Sequence, residues 1–219
     1  MLPYGSRVQI RTFTELDRVP LRALFEHAGE GAPTASLWGH AESEAAVYLV
    51  PYLDHEPESV FVAVVDGELA GYLAGSLGTA VPSESTRMER AIREHRLILR
   101  RGPAAFFARS LLDLASAAVR RQSTAGELDD PRWPAHLHIN LLPRARGTGA
   151  AAGLMELWSA RLRETGTPGC YLQTLVENRR ATRFFERVGF VARGPTPPVP
   201  GLRYEGGRVH QLTMVRPAA

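Results

Sequence analysis

The sequence predicts an α/β fold in one domain over residues 1–219, and three observations carry that prediction. Hydrophobic residues make up 44% of the chain, which is enough for one sizeable core. Asp66-Gly67, between two apolar runs, is the preferred two-residue turn of a β-hairpin. An apolar run over 137–142 leads through a glycine-rich turn into a helical pattern, so a strand and a helix follow each other there.

Before the hairpin, the pattern predicts a short strand and two helices. Residues 7–11 alternate as a strand does, and Thr14 is then expected to cap a helix with Asp17 at the capping-box position. Glycine and proline at 29–33 are expected to end that helix, and a second helix is expected over about 42–49, before a proline. Four side chains are expected to form the apolar stripe of the first helix: Leu16, Val19, Leu24 and Phe25.

The hairpin pairs an apolar strand over 60–65 with a return strand over 69–75. Gly71 and Gly75 lie inside the return strand, where a glycine indicates a bulge or the close approach of another group.

Residues 83–122 change character and predict a helical pair, with a charged helix over 84–97 and an apolar helix over 103–121. The pair is too short to bury a core of its own, so we interpret it as an insertion within the domain. A polar loop with two prolines follows over 123–134.

The second half of the chain predicts four more strands and two helices. Asn178 is expected to cap the second of these helices. The strands are expected over 135–142, 170–176, 190–193 and 209–215, the helices over 148–164 and 179–188, and a proline-rich loop over 195–201.

Composition excludes several classes of protein. Every basic residue is arginine, which excludes a lysine Schiff base and the lysine of a nucleotide triphosphatase P-loop. The net charge of +3 is mild and suits an anionic small ligand as well as nucleic acid, so it does not decide between them. Cys170 is the one cysteine, so no internal disulfide forms and a cytoplasmic location is expected. No apolar run is long enough to span a membrane, and 1–5 lacks the apolar core of a signal peptide.

The turn after residue 142 is the most informative stretch. Glycines let the backbone approach an anion, the N–H groups at a helix start point toward it, and Arg144 and Arg146 add positive charge. A phosphate group is the expected ligand. The letters of 147–152 fit a dinucleotide-binding motif, but its first glycine should follow the strand directly, and too little chain remains for a doubly wound sheet. A Walker A loop is absent.

Two motifs resemble those of the GNAT superfamily of acyl-CoA N-acyltransferases. Residues 146–151 match its Arg/Gln-x-x-Gly-x-Gly/Ala signature, which follows the apolar-x-Pro step at 141–143. A second register starting at Arg144 matches the same letters, but the spacing from the proline favours the first. Residues 178–190 resemble the family's Asn-x-x-Ala-x-x-Phe-Tyr-x-x-x-Gly-Phe motif. The resemblance covers the whole chain except the helical insertion.

The resemblance implies a mixed, mostly antiparallel sheet with helices on both faces, and acetyl-CoA as the cosubstrate. It also implies that the strands ending at 142 and 176 splay apart, so that the pantetheine arm lies in the gap and the pyrophosphate lies on the amides of the glycine turn. Backbone groups in the gap would also stabilise the developing oxyanion of the thioester. The cofactor-binding residues implied in this way are Asn140, Leu141, Leu142, Arg146, Gly147, Thr148, Gly149, Ala150, Ala151, Asn178, Ala181 and Phe185.

The implied reaction is direct transfer of an acetyl group to an amine in a ternary complex, with no metal. Phe185 stands where the family often has a tyrosine that protonates the CoA thiolate, and a thiol of pKa about 8.5 can leave without that acid. His138 is the candidate base, because the strand period places it on one face with His136 and Asn140, nearest the expected thioester. Weaker candidates for the base are Glu177, Glu94 and Asp113, and candidates for lining the acceptor pocket are Tyr72 and Tyr204.

Other interpretations stay open. An acetyl-CoA-binding pseudoenzyme is the first alternative, and a protein-interaction or nucleic-acid module on the same scaffold is the second. Within the superfamily, residues 51–53, 71–75 and 135–140 look like the acetyltransferase-like domain fused to eukaryotic O-GlcNAcases. The expected partners are acetyl-CoA and a small-molecule or peptide amine, with a homodimer as an open option and neither a membrane nor nucleic acid. The helical insertion is expected to shape the choice of acceptor.

Overall fold

A computed structural model describes residues 7–28, 37–78 and 80–218. Its strands form one sheet in the order β1-β2-β3-β4-β5-β8-β6, and β7 pairs with β8. Among the described strands only β4 and β5 run parallel. The predicted mixed, mostly antiparallel sheet is confirmed. The strands are β1 Val8–Thr12, β2 Val60–Val65, β3 Glu68–Ser76, β4 Ala135–Leu141, β5 Gly169–Leu175, β6 Val191–Ala192, β7 Pro198–Tyr204 and β8 Gly207–Pro217.

Helices cover both faces of the sheet, as predicted. On one face α6 packs against the first three strands, and Trp158 lies at the centre of that core. On the other face α1 and α3 bury Leu21 and Tyr52 against β2 and β3. The helices are α1 Arg18–Ala28, α2 Ala41–Tyr48, α3 Val50–His55, α4 Glu84–Glu94, α5 Arg101–Arg120, α6 Ala150–Glu164 and α7 Arg179–Arg187.

The two glycines of the return strand have the roles that their positions indicate. Gly71 pairs with Ala63, where the register of the hairpin shifts. Gly75 lies directly beneath Trp158, where a Cβ atom would overlap the indole ring. Gly71 therefore lies at an irregularity of the hairpin, and Gly75 allows Trp158 to approach the strand more closely than a side chain would permit.

The apolar stripe predicted for the first helix is half wrong. Leu16 and Val19 are 90% and 77% exposed, whereas Leu24 and Phe25 pack on the sheet. The reason is that a 3-10 turn precedes α1 and changes the phase of the chain. Thr14 does meet Asp17 there, since its N–H donates to the carboxylate at 2.9 Å. The predicted end of the helix at 29–33 lies outside the described residues.

Of two predictions that rested on proline, one is confirmed and the other is wrong in part. The second helix ends at Tyr48, before Pro51 as predicted, and α3 follows at once with Pro51 in its first turn. A missing N–H costs nothing there, because that donor has no partner inside the helix. The proline-rich loop expected over 195–201 is partly strand β7, which pairs with β8 at only three recorded positions. Such a sparsely paired strand tolerates proline.

The helical insertion shares its apolar contacts with the rest of the chain. Its helix α4 packs against α2, and α5 packs against β7. The cluster between them joins Trp38 and Val47 to Ala91 and Leu97, with Phe106 packed alongside. Among the described helices, none is long and apolar enough to cross a membrane.

Candidate functional site

The sheet opens between β4 and β5. Their parallel ladder consists of two pairs, Ala135 with Cys170 and His136 with Tyr171, and then ends. Both strands continue past this point, to Leu141 and Leu175. The result is the gap that the resemblance implies, closed at the start of the two strands and open at their ends.

Backbone groups of β4 point into this gap. The N–H of Leu142 donates to the carbonyl of Ala70 on β3, at 2.8 Å. Because successive residues of a strand face opposite edges, Asn140 also faces β3, while Ile139 and Leu141 face the gap. Of the three backbone positions predicted to hold the pantetheine arm, Leu141 is therefore the one directed toward it. Ile139 faces the gap as well and was missed, because strand letters do not reveal which edge is paired.

The glycine turn presents a bare helix start. Gly147 and Gly149 have φ values of +76° and +89°, and the space beside each of them is open. Gly149 caps α6 without a side chain, and the first helical bond runs from the N–H of Gly153 to its carbonyl at 3.0 Å. The N–H groups of Ala151 and Ala152 are left directed outward, which is the arrangement that binds anions. Thr148 stabilises the turn, since its hydroxyl donates to the carbonyl of Ala145 at 2.8 Å.

The two candidate arginines of the turn differ in their surroundings. Arg144 donates to the carbonyl of Leu69 at 2.6 Å and lies 3.3 Å from Glu68, so it is held against the hairpin. Arg146 is half-buried, and burial together with the charge of Arg180 lowers its pKa. Arg146 and Arg180 place two positive charges near the start of α6, where no side chain caps the helix. This favours the binding of an anion there. This arrangement supports the register that begins at Arg146.

Asn178 caps α7, as predicted. Its side-chain oxygen accepts the N–H of Ala181 at 3.3 Å. One turn further on, Phe185 is only 6% exposed and packs against Phe190 within the main core. Phe184 is half-buried against the same core. Phe185 therefore has little surface for a ligand. Its contacts are those of a side chain that packs in the core.

A buried polar network lies where β4 and β5 part. The hydroxyl of Tyr52 lies 2.7 Å from Nε2 of His136 and 2.9 Å from Nε2 of His138, and it accepts a hydrogen bond from Arg87 at 3.2 Å. A tyrosine hydroxyl has one proton and two lone pairs, and Arg87 uses one lone pair. Tyr52 therefore donates to one histidine and accepts from the other, and the two rings carry their protons on different nitrogens.

Comparison with known proteins gives this arrangement a family. The acetyltransferase (GNAT) family model matches residues 21–190, which is most of the chain. The chain belongs to the GNAT acetyltransferase family. Members of this family use acetyl-CoA, and the resemblance seen in the sequence is confirmed. The narrower resemblance to the O-GlcNAcase-associated domain stays a prediction.

Solved structures share the GNAT fold over nearly the whole chain. SsHAT is 21% identical, with a TM-score of 0.61, and the match covers 97% of this chain and 98% of that one. A putative acetyltransferase from Salmonella typhimurium, solved with its cofactor acetyl-CoA, is 14% identical, with a TM-score of 0.58 and coverages of 97% and 94%. The ribosomal-protein-S18-alanine N-acetyltransferase of Escherichia coli is 14% identical, with a TM-score of 0.54 and coverages of 97% and 95%. At these identities the likeness shows the fold alone.

The two histidines of the network, His136 and His138, are kept neutral by their surroundings. Burial lowers the pKa of His138 to about 3, with a further contribution from His136 and Arg87. Burial and Arg87 lower the pKa of His136 to about 4. Burial also raises the pKa of Tyr52, so its hydroxyl keeps its proton near neutral pH. A base with so low a pKa is poorly matched to operation near pH 7 unless the proton it takes moves on.

The insertion supplies the cation of this network. Arg87 of α4 is buried, donates to the carbonyl of Val47 at 2.6 Å and lies 3.7 Å from Glu127. Glu84, on the same helix, accepts the hydroxyl proton of Tyr48 at 2.7 Å. Sequence reasoning missed Arg87, since nothing in an arginine-rich helix distinguishes the one arginine that is buried.

A small cavity of about 20 Å³ opens onto the network, which is room for about one water molecule. A larger groove of about 490 Å³ lies next to it, and Glu127 lines both. The polar and aromatic residues that line the small cavity are Glu84, Arg87, Glu127, His136, His138, Tyr171 and Gln173.

The weaker sequence candidates lie elsewhere in the domain. Glu177 pairs with His210 at 3.2 Å, and Glu94 pairs with Arg90. Asp113 binds Arg203, and Tyr204 is on β7. None of these lines the small cavity. Tyr72 is fully buried and accepts the side-chain amide of Asn140 at 2.7 Å, so that pair lies next to the histidines on the same face of β4.

Proposed function

We propose that this protein is an acetyl-CoA-dependent N-acetyltransferase that transfers the acetyl group directly to a small-molecule or peptide amine. One observation carries the proposal. The gap between β4 and β5 leads from the uncapped helix start at Gly149 to the histidine cavity at the point where the strands meet. A cofactor with an anion at one end and a thioester at the other fits that path.

The cofactor is proposed to bind in two parts. The N–H groups of Ala151 and Ala152 and the charge of Arg146 hold the pyrophosphate. The pantetheine arm bonds the backbone of Ile139 and Leu141, and Asn178 flanks the gap from the other strand. Among the proposed residues Phe185 contributes packing beneath the site rather than a polar contact.

The acceptor is proposed to enter from the histidine face. Glu84 and Glu127 outnumber Arg87 at the cavity, and the remaining negative charge attracts an ammonium group. The amine attacks once it has lost a proton. Its nitrogen then bonds to the thioester carbon, the C–S bond breaks, and CoA leaves as a thiolate, while the nitrogen releases a second proton that balances protonation of the thiolate to the thiol. Backbone N–H groups of the gap are the candidates for stabilising the oxyanion.

The network is proposed to carry the proton away. In one of its two arrangements, Nε2 of His138 donates to Tyr52 and Tyr52 donates to His136, so Nδ1 of His138 is a free acceptor. A proton taken there moves along the chain by exchange at each hydrogen bond. Arg87 disfavours a charge on either ring, so the proton passes on toward Glu127 and solvent instead of remaining.

Two measurements test the proposal. Calorimetry with acetyl-CoA is expected to show binding at one site per chain, and no binding would rule the proposal out. Release of CoA thiol in the presence of a panel of amines is then expected to exceed hydrolysis without amine. Mass spectrometry of the amine product identifies the acetylated nitrogen.

A pseudoenzyme that binds acetyl-CoA is the second candidate. Two observations favour it, the phenylalanine at position 185 in place of the frequent tyrosine and the low pKa of His138. It predicts acetyl-CoA binding without thiol release for any amine, so the same two measurements separate the candidates.

A further inference from the structure

Three side chains of types that can ligate a metal converge outside the histidine network. One ring nitrogen each from His40 and His95 and a carboxylate oxygen of Glu42 lie within 4.8 Å of one another. The two rings are 5.4 Å apart, centre to centre. His40 and Glu42 stand at the start of α2, and His95 directly follows α4. We propose that these three residues bind a transition-metal ion of the Zn²⁺ type, with water at the fourth position.

The ligand types fit that ion. Zn²⁺ binds imidazole nitrogen and carboxylate oxygen, and a set of two histidines and one glutamate leaves a tetrahedral position open. Mg²⁺ and Ca²⁺ prefer sites made only of oxygen. The sequence gives no sign of the site, because His40 and His95 belong to different helices far apart in the chain and are brought together by the packing of α4 on α2.

His40 is positioned before any metal arrives. The buried carboxylate of Glu44 accepts the N–H groups of Trp38 and Gly39, both at 2.9 Å, and fixes the backbone in front of α2. Nδ1 of His40 lies 3.0 Å from the hydroxyl of Ser43. That hydroxyl is itself held by the indole N–H of Trp38 at 2.7 Å. Nε2 is then the nitrogen directed to the metal.

A histidine that binds a metal through one ring nitrogen usually donates the N–H of its other ring nitrogen to an acceptor, and His40 has such an acceptor in Ser43. A metal at Nε2 leaves the ring proton on Nδ1, where Ser43 can accept it. The serine hydroxyl then donates to the carbonyl of His40 and accepts from Trp38 and from the ring, so all its hydrogen-bonding capacity is used. The weak bond from the Ser43 N–H to Nδ1, 3.3 Å long, is given up in exchange.

His95 is held by its backbone. Its N–H donates to the carbonyl of Ala91 at 3.0 Å, and its own carbonyl accepts Nε of Arg100 at 3.0 Å. Arg100 and the neighbouring Arg93 oppose a cation, and the carboxylate of Glu42 provides the compensating charge. The ion would tie the start of α2 to the end of α4, the helix that carries Arg87 into the histidine network. The metal site itself does not depend on the proposed acetyl transfer.

The test uses the full chain, stripped with a chelator and then dialysed. Calorimetric titration with ZnCl₂ is expected to show one ion per chain. At a free Zn²⁺ concentration of about 100 times Kd, the thermal midpoint should rise by roughly 5–10 °C. MgCl₂ serves as the control ion and should leave the midpoint unchanged. Absence of Zn²⁺ binding would overturn the proposal.

Two variants locate the site. His95→Gln and Glu42→Gln are each expected to weaken Zn²⁺ binding at least tenfold and, at the same free Zn²⁺ concentration, to lower the thermal shift by about half or more. His55→Gln removes an exposed histidine outside the cluster and should bind Zn²⁺ as the parent does. Glu42 is exposed, so its variant keeps the test valid if His95→Gln fails to fold. Binding by both folded variants with parental affinity would place the ion elsewhere and refute the assignment.

Discussion

The hydroxyl of Tyr52 and Nε2 of His138 lie 2.9 Å apart and join α3 to the central strand. The same hydroxyl serves His136 and Arg87, so a single oxygen connects the sheet, the helical insertion and α3. Among the described residues, the hydroxyl of Tyr52 is the one side-chain partner of Nε2 in both His136 and His138. The hydrogen bonding of the whole face therefore depends on the hydroxyl of Tyr52.

Tyr52→Phe tests that dependence. Removing the oxygen leaves two buried nitrogens and one N–H of Arg87 without a partner, so we expect a loss of about 1–3 kcal/mol in the free energy of unfolding. If the network carries the proton, kcat should fall by about 10²-fold or more, within the range of general acid–base effects. The dissociation constant of acetyl-CoA should stay within about a factor of two, since the phosphate turn is untouched.

Tyr204→Phe is the matched control for this variant, because Tyr204 is 37% exposed on β7. It should leave kcat unchanged. If Tyr52→Phe retained the parental kcat on a substrate that the parent acetylates, the proton relay would be wrong.

Gly149→Asp tests the phosphate turn. Gly149 has φ +89° and open space beside it, so an aspartate there strains the backbone by about 1–2 kcal/mol without a steric clash, and the fold should persist. Its negative charge would lie beside the proposed pyrophosphate. We expect the dissociation constant of acetyl-CoA to rise at least tenfold, or about 1.4 kcal/mol.

Gly166→Asp is the control for the turn. Gly166 has φ +66°, and the space beside it is open, so the substitution brings the same charge and a similar backbone strain far from the helix start. Acetyl-CoA binding should change by less than about twofold. Equal weakening by both variants would show that strain, rather than charge at the turn, is responsible.

Gly75→Ala tests the close contact beneath the core. A Cβ at this position would lie 2.7 Å from Cη2 of the fully buried Trp158, which must then move. Overpacking of this kind costs about 1–3 kcal/mol, which corresponds to a fall of about 2–12 °C in the thermal midpoint. Gly126→Ala adds the same methyl group to open space and should leave the midpoint within about 2 °C. A parental midpoint for Gly75→Ala would show that the indole can shift freely.

Glu84→Gln tests the proposed role of the insertion in the choice of acceptor. Deleting 83–122 would remove Arg87 from the network and Phe106 from the cluster around Trp38, so a substitution is the sharper experiment. Loss of one negative charge at the cavity should raise KM for cationic amines by about fivefold, or about 1 kcal/mol, while acetyl-CoA binding stays constant. Glu89→Gln, on the exposed side of the same helix, should have no effect. Equal KM values for the two variants would contradict the role of Glu84.

Sequence reasoning found the parts of this molecule that local chemistry fixes. The turn at Asp66-Gly67, the helix cap at Asn178 and the bare glycine turn before α6 each depend on a few adjacent residues, and each forms as predicted. The splay between β4 and β5 came from the family resemblance, since no residue of either strand announces where their pairing stops.

What the sequence could not reveal depends on packing between distant segments. Arg87 becomes the charge of the histidine network only because α4 packs on α2, and the same packing brings His95 to His40. The exposure of Leu16 follows from a helical phase that a 3-10 turn resets. Each of these outcomes is set by tertiary contacts, which override local pattern.

The stability of the protein should fall between pH 6.5 and pH 4, because His136 and His138 titrate differently in the two states. Unfolded, each has a pKa of about 6.5, whereas burial and Arg87 lower the folded values to about 4 and about 3. The unfolded chain therefore binds more protons throughout this interval, and the free energy of unfolding decreases as the pH falls. Above pH 7 both states are neutral at these positions, and the contribution is constant.

We expect a loss of about 2 kcal/mol between pH 6 and pH 5, measured by urea unfolding. Asp17 acts in the same direction but at lower pH. Its hydrogen bonds to Arg11 lower its pKa to about 2, so its contribution is lost only as the pH falls below about 3.8. Asp17→Asn should therefore leave the decline between pH 6 and pH 5 in place, while His138→Gln should reduce it by about half. A parent protein equally stable at pH 6 and pH 5 would mean that the two rings are hydrated and not buried beside Arg87.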